Sequence, residues 1–307
     1  MNRRRFLTIA SAALSWTASP FAAPQRDGPR MAVTMDDFTV LDGVLPVAER
    51  GARILEALRR HGATAMGLVV GRAAGGPDVR AVLDRWAAAG HTIGNHTFSH
   101  LDYHSLDVTP AAFEKDFLRA DAALRGLRGF QRFFRFPMLR GGDTAAKRDA
   151  MRRALDRHDY REAHVTIDTA DWLIDQELRT RLAANPRLDT RPYRDLYVRH
   201  MRAFAAYFRD AAGTVFGREI PHTILTHFNL VSALFLDDLL EALRRDGWSF
   251  VAATDAYADE VFRREPDVLP GGDSLVVACA REAGVRLPKA PAETEAWLSA
   301  EFARLRT

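Results

Sequence analysis

Five short polar clusters stand out by residue type: Asp36-Asp37, His96-Thr97-Phe98-Ser99-His100, Arg135-Phe136-Pro137, Asp168-Thr169-Ala170-Asp171-Trp172 and Leu225-Thr226-His227. Two imidazoles and one carboxylate, here His96, His100 and Asp37, can hold a divalent cation and leave a position open for a reactive water. The remaining carboxylates, the guanidinium and the last imidazole can take one proton and return another, the two halves of a hydrolytic step. One helical turn would set His96 and His100 on the same side. In extended backbone, Asp36 and Asp37 face opposite ways. One of the pair is therefore expected at the cation and the other as acceptor of the water's proton.

Most of these clusters directly follow an apolar run. Residues 31–35, 63–70, 91–95, 132–136, 163–167, 223–226 and 248–252 read as strands. Between them, 47–60, 79–89, 110–127, 144–158 and 232–245 read as helices, with Thr109 and Pro110 as the cap and first residue of the third. Residues 172–217 form a helical insertion broken near Asn185-Pro186 and Arg191-Pro192. Strand–helix alternation of this kind predicts an α/β fold with a parallel sheet, closed as a distorted (β/α) barrel of about seven strands with a helical C-terminal tail. A barrel gathers side chains from many strand ends into one site.

The first residues are basic (Arg3, Arg4, Arg5), then apolar, then small up to Ala22-Ala23. This is the pattern of an export signal over residues 1–23, with the Arg-Arg-x-Phe-Leu order of the twin-arginine type. It is too short to span a bilayer, and a periplasmic or extracellular protein is expected. The leader holds three of the 43 basic side chains and no acid, so the remainder carries 40 against 40 acids. A balanced surface argues against nucleic acid as a partner. Cys279, the sole cysteine, cannot pair within the chain and reads as an apolar core residue.

In their order, the five clusters resemble the five motifs of the polysaccharide deacetylase family, carbohydrate esterase family four. The resemblance runs from Thr34-Met35-Asp36-Asp37 to Leu225-Thr226-His227, about two thirds of the chain. It implies a catalytic domain over 24–258, with 259–307 as a helical extension. It implies Asp36 as general base, with Arg135 orienting it, and Asp37, His96 and His100 as ligands of a divalent metal, Zn2+ or Co2+. It implies His227 as general acid held by Asp171, in preference to Asp168, the backbone N–H of Met138 as a donor to the oxyanion, and Trp172 and Leu225 as walls of the acyl pocket. His91, His104 and His222 fall outside the motifs and read as bystanders.

Three features depart from the family pattern: Phe38 in place of a glycine, Met138 in place of an aromatic residue, and the long insertion. They bear on the rim and the substrate more than on the reaction. The expected activity is removal of N-acetyl or O-acetyl groups from a cell-envelope polysaccharide or oligosaccharide. The alternatives are the same site acting on a small exported amide, imide or ester, an Fe(II) oxygenase built on the same ligands, and a glycan-binding module without turnover. Oligomeric state has no signature in the sequence.

Overall fold

The computed structural model describes residues 28–38 and 44–306; the expected leader lies outside the described residues. Among the described residues, seven strands form one sheet: β1 (Arg30–Asp37), β2 (Ala65–Val69), β3 (Thr92–Asn95), β4 (Phe130–Phe134), β5 (Arg161–Glu162), β6 (His222–His227) and β7 (Ser249–Phe250). The order is β5-β4-β3-β2-β1-β6, with β7 paired to the start of β1, and every pairing between strands is parallel. β2 is buried along its whole length and β1 along all but its ends, as strands covered on both faces must be.

Helices α1 (Val47–Arg60), α2 (Pro77–Ala88), α3 (Pro110–Leu124), α4 (Ala145–Arg157) and α7 (Leu230–Arg245) surround the sheet. Thr109 caps α3 by accepting from the Ala112 N–H, as its place before Pro110 predicts. The insertion folds as α5 (Asp171–Ala184) and α6 (Arg191–Phe216), broken where the two prolines fall. The chain ends with the short α8 (Ala253–Ala256), then α9 (Leu275–Ala283) and α10 (Glu295–Leu305). The expected distorted barrel with a helical insertion and a helical tail is the architecture observed.

Two expected strands are reduced. Residues 163–167 leave β4 after the Ala163 N–H bonds the Phe134 carbonyl, and reach β6 through one bridge, Ile167 to Ile224. Hydroxyls fill the gap in the ladder: the Thr223 N–H donates to Thr166 Oγ1 at 2.8 Å, and Thr223 Oγ1 donates to the His164 carbonyl at 2.8 Å. This segment thereby passes from one edge of the sheet to the other and joins the ends of the barrel. The last strand keeps only Ser249 and Phe250, because β1 offers it a partner only at Arg30 and Met31.

Phe38 corrects an expectation. It is fully buried, not on the rim, stacked on Phe228 at 4.5 Å and edge-on to Trp86 at 4.9 Å. Its φ of +50° lies in the left-handed region, where glycine is the unstrained choice. The space for the ring comes from Gly67, where a Cβ would stand 2.7 Å from Phe38. Buried aromatic area offsets the backbone strain. Phe38→Ala is expected to cost about 3–5 kcal/mol in denaturant unfolding, the usual loss for an emptied phenyl site.

Candidate active site

All five clusters reach the C-terminal ends of the strands. Asp36 and Asp37 end β1, His96 follows β3, Arg135 follows β4, Asp168 follows the 163–167 segment and His227 ends β6. Parallel pairing sets Asp36 directly opposite His227 on the neighbouring strand.

The His96 to His100 stretch is a loop, not a helical turn. Thr97 and His100 both take left-handed φ values, +60° and +59°, and these bends bring the rings to 5.0 Å between centroids. The loop is held by side chains: Asn95 accepts from the Thr97 N–H, Thr97 Oγ1 from the His100 N–H, and Asp116 from the N–H groups of Phe98 and Ser99. Asp37 is also left-handed, with φ +81°. That bend breaks the strand alternation, so both carboxylates lie 3.7 Å from His96 Nε2 and do not face opposite ways. Among the described residues, six of the seven non-glycine positions with positive φ (Asp37, Phe38, Thr97, His100, Met138, Leu139) adjoin this site. Backbone strain of this kind is kept where it aims functional groups.

Asp37, His96 and His100 offer ligand atoms within 4.8 Å of one another. Asp37 Oδ1 lies 3.3 Å from His100 Nε2, yet it is buried with no hydrogen-bond partner. The Nδ1 of His96 lies 2.9 Å from the Arg135 carbonyl. A hydrogen there leaves Nε2 with its lone pair directed at the same point as Asp37 Oδ1. Burial lowers the His96 pKa to about 4, against the pull of Asp36, so the ring is neutral at pH 7. Burial raises the Asp37 pKa, but the neighbouring His100, His227 and His96 rings outweigh it and hold the group well below the carboxylate range. Two imidazoles and a carboxylate with an unsatisfied oxygen fit a divalent cation.

The second carboxylate is engaged elsewhere. Asp36 accepts from Arg135 Nη1 at 2.5 Å, both side chains being buried. On the other wall, His227 Nδ1 stands 2.6 Å from Asp171 Oδ1, while Asp171 Oδ2 accepts from the His227 N–H and from Asn229 Nδ2. Burial opposes a charge on His227, yet the Asp171 carboxylate overrides it, with Asp37 and Asp36 adding, and the pKa rises to about 10. Asp168 lines the same cavity and is the carboxylate that does not pair with His227; burial pushes its pKa up to about 6.

The cavity measures about 900 Å³. Met138, Trp172 and Leu225 all line it, the first two half exposed at its mouth and Leu225 buried. The tail, in which the sequence showed no chemistry, contributes residues 270–273, Arg281 and Glu295 to the wall. It is pinned there by the Gly271 N–H on the Gly142 carbonyl at 2.9 Å and the Leu275 N–H on Val165 at 2.7 Å. His104, read as a bystander, also lines the cavity, against Gly272. His91 and His222 are buried outside it, as expected. No sequence signal marks Asp116 or the tail residues, whose placement is tertiary.

Two outcomes follow from this geometry. Calorimetry should find one Zn2+ bound per wild-type chain and none at micromolar concentration for His96→Ala. In the metal-free protein, Asp171→Asn should move the His227 ring pKa from about 10 toward 6.5, read by NMR of the imidazole. The folded value exceeds the unfolded one, so the pair's stabilisation is complete below about pH 6.5 and is lost as pH rises through 10.

Comparison with known proteins places these features. Residues 23–162 match the family described as polysaccharide deacetylase. No curated protein sequence matches the chain. Among solved structures, a peptidoglycan N-acetylglucosamine deacetylase is similar at 20% identity over 76% of this chain and 92% of that one, with a TM-score of 0.50. The peptidoglycan deacetylase PdaC from Bacillus subtilis is similar at 18% identity over 76% and 91%, with a TM-score of 0.50. A wild-type pseudoenzyme of carbohydrate esterase family four from Bacillus anthracis matches at 18% identity over 75% and 66%, also at 0.50. Likeness at this identity is likeness of fold, and it includes a protein described as a pseudoenzyme. The family match takes in the first three of the five clusters, and over residues 23–162 the chain is similar to the polysaccharide deacetylase family.

Proposed function

We propose that this protein is an exported, metal-dependent hydrolase that removes acetyl groups from amino sugars of a cell-envelope polysaccharide. One observation carries the reading. A buried, unpartnered Asp37 oxygen and two imidazole nitrogens share a point flanked by an Arg-held carboxylate and an Asp-held imidazole. In this reading Asp37, His96 and His100 hold the metal, zinc or cobalt, which when bound acidifies water and polarises a carbonyl.

The chain's own residues divide the proton work. Asp36 takes a proton from the attacking water, and Arg135 keeps that carboxylate turned toward the site through the hydrogen bond from Nη1. The backbone N–H of Met138 faces the developing oxyanion. His227, charged at neutral pH beside Asp171, gives its proton to the departing nitrogen as the carbon–nitrogen bond breaks. Acetate and a free amine are the products. Trp172 and Leu225 wall the acyl group. An iron oxygenase would leave the Arg135–Asp36 and His227–Asp171 pairs without a task.

A second reading, a small amide, imide or ester as substrate, draws on the tail. Residues 270–273 and the α5–α6 insertion surround the cavity together with the barrel loops. Among the described residues no helix is long and apolar enough to cross a membrane. Acetate release across peptidoglycan, chitooligosaccharides, acetylated xylan and small N-acetyl amides separates the two readings. Chelation should abolish turnover and Zn2+ or Co2+ restore it. His227→Ala should lower kcat by about 10²–10⁴-fold, the usual contribution of a general acid. Asp36→Asn should be at least as damaging, and unchanged turnover in that variant would remove the assigned base.

A further inference from the structure

We propose that Tyr257, outside all five clusters, is a positioning residue that fixes the Arg135 guanidinium and through it the orientation of Asp36. The inference rests on the roles given above to Asp36 and Arg135. Arg135 is a fully enclosed cation whose donors are spread over four groups. Nε donates to the Ala163 carbonyl at 2.8 Å, Nη1 to Asp36 at 2.5 Å, and Nη2 to both Thr34 Oγ1 at 3.0 Å and the Tyr257 hydroxyl at 3.2 Å.

Each acceptor is itself held. The Thr34 hydroxyl donates to the Ile224 carbonyl at 2.7 Å, and the Tyr257 hydroxyl to the His164 carbonyl at 3.1 Å. Both hydroxyl hydrogens are committed, so toward Arg135 each oxygen acts only as an acceptor. The Tyr257 ring is buried between Phe133 at 5.0 Å and Phe262 at 4.9 Å, and its carbonyl accepts from Arg161. The hydroxyl is therefore fixed at both ends.

A guanidinium is a rigid planar fork, so a torque on Nη2 is a torque on Nη1. Without the Tyr257 hydroxyl, Nη2 keeps one acceptor, and the planar group can rock about the Cδ–Nε bond. Nη1 then swings relative to Asp36, and the carboxylate loses its single orientation. The consequence is a fault in proton acceptance, not in substrate binding.

Tyr257→Phe keeps the ring and deletes only the hydroxyl. In the metal-loaded enzyme, kcat should fall about tenfold with KM within twofold, the loss of one positioning hydrogen bond. NMR of the arginine side chains should show separate, slowly exchanging Nη hydrogens for Arg135 in the wild type, merged in Tyr257→Phe. Phe262→Leu, which loosens the ring packing and spares the hydroxyl, should lower the melting temperature without merging them. Separate Nη signals in Tyr257→Phe, or an unchanged kcat, overturns the inference. If the wild-type protein releases no acetate from any substrate, the functional reading fails, and the guanidinium signals alone decide whether Tyr257 holds Arg135.

Discussion

The buried pair between Arg135 and Asp36 is the constraint around which the site is arranged. A cation and an anion removed from water cost several kcal/mol each, and they are tolerable only when charge and hydrogen bonds are nearly all matched. Arg135 meets that requirement by bonding two side-chain hydroxyls and one carbonyl besides Asp36. Its own carbonyl meets His96 Nδ1. One residue therefore fixes both the Asp36 carboxylate and the orientation of the His96 imidazole. Two adjacent aspartates acquire different tasks: Asp36 is occupied by Arg135, and Asp37 is left with a buried oxygen facing two rings.

The barrel makes this possible by carrying chemistry at strand ends and strain in the loops just after them. Left-handed bends at Asp37, Thr97 and His100 turn side chains inward that regular strand or helix would turn elsewhere. They persist because Asn95, Thr97 and Asp116 satisfy the loop's N–H groups. The imperfect closure between residues 163–167 and β6 has a similar role. It ends beside the first turn of α5, which delivers Asp171 to His227.

Much of this was legible in the sequence, for a definite reason. Polar clusters after apolar runs report strand ends, and residue type reports chemistry, so the site's membership and the barrel could be read together. The pairing of Asp171 with His227 came from the motif resemblance, and the side-chain geometry agrees with it. What could not be read depends on neighbours distant in the chain. Phe38 looked like a rim residue because it replaces a glycine of the first motif beside the site, but Gly67, Trp86 and Phe228 make it core. The His96–His100 spacing suggested a helical turn, and the φ values of the loop, set by Asp116 on α3, decided otherwise. The tail has no motif, so its place on the cavity wall and the contact of Tyr257 with Arg135 were invisible.

The tail gives the cavity a wall made by the end of the chain, while the proton-handling groups stay on the barrel. In the proposed reading, substrate choice and reaction thus fall on different elements, as in many barrel enzymes. The central claim is that Asp37, His96 and His100 gather one cation while Arg135 keeps Asp36 free to accept a proton. Anomalous diffraction at the zinc edge, from crystals loaded with Zn2+, tests it most directly. The account predicts a single strong peak within bonding distance of Asp37 and both His Nε2 atoms, with Asp36 still on Arg135. A peak at another site, or Asp36 drawn off Arg135 into the coordination sphere, would contradict it.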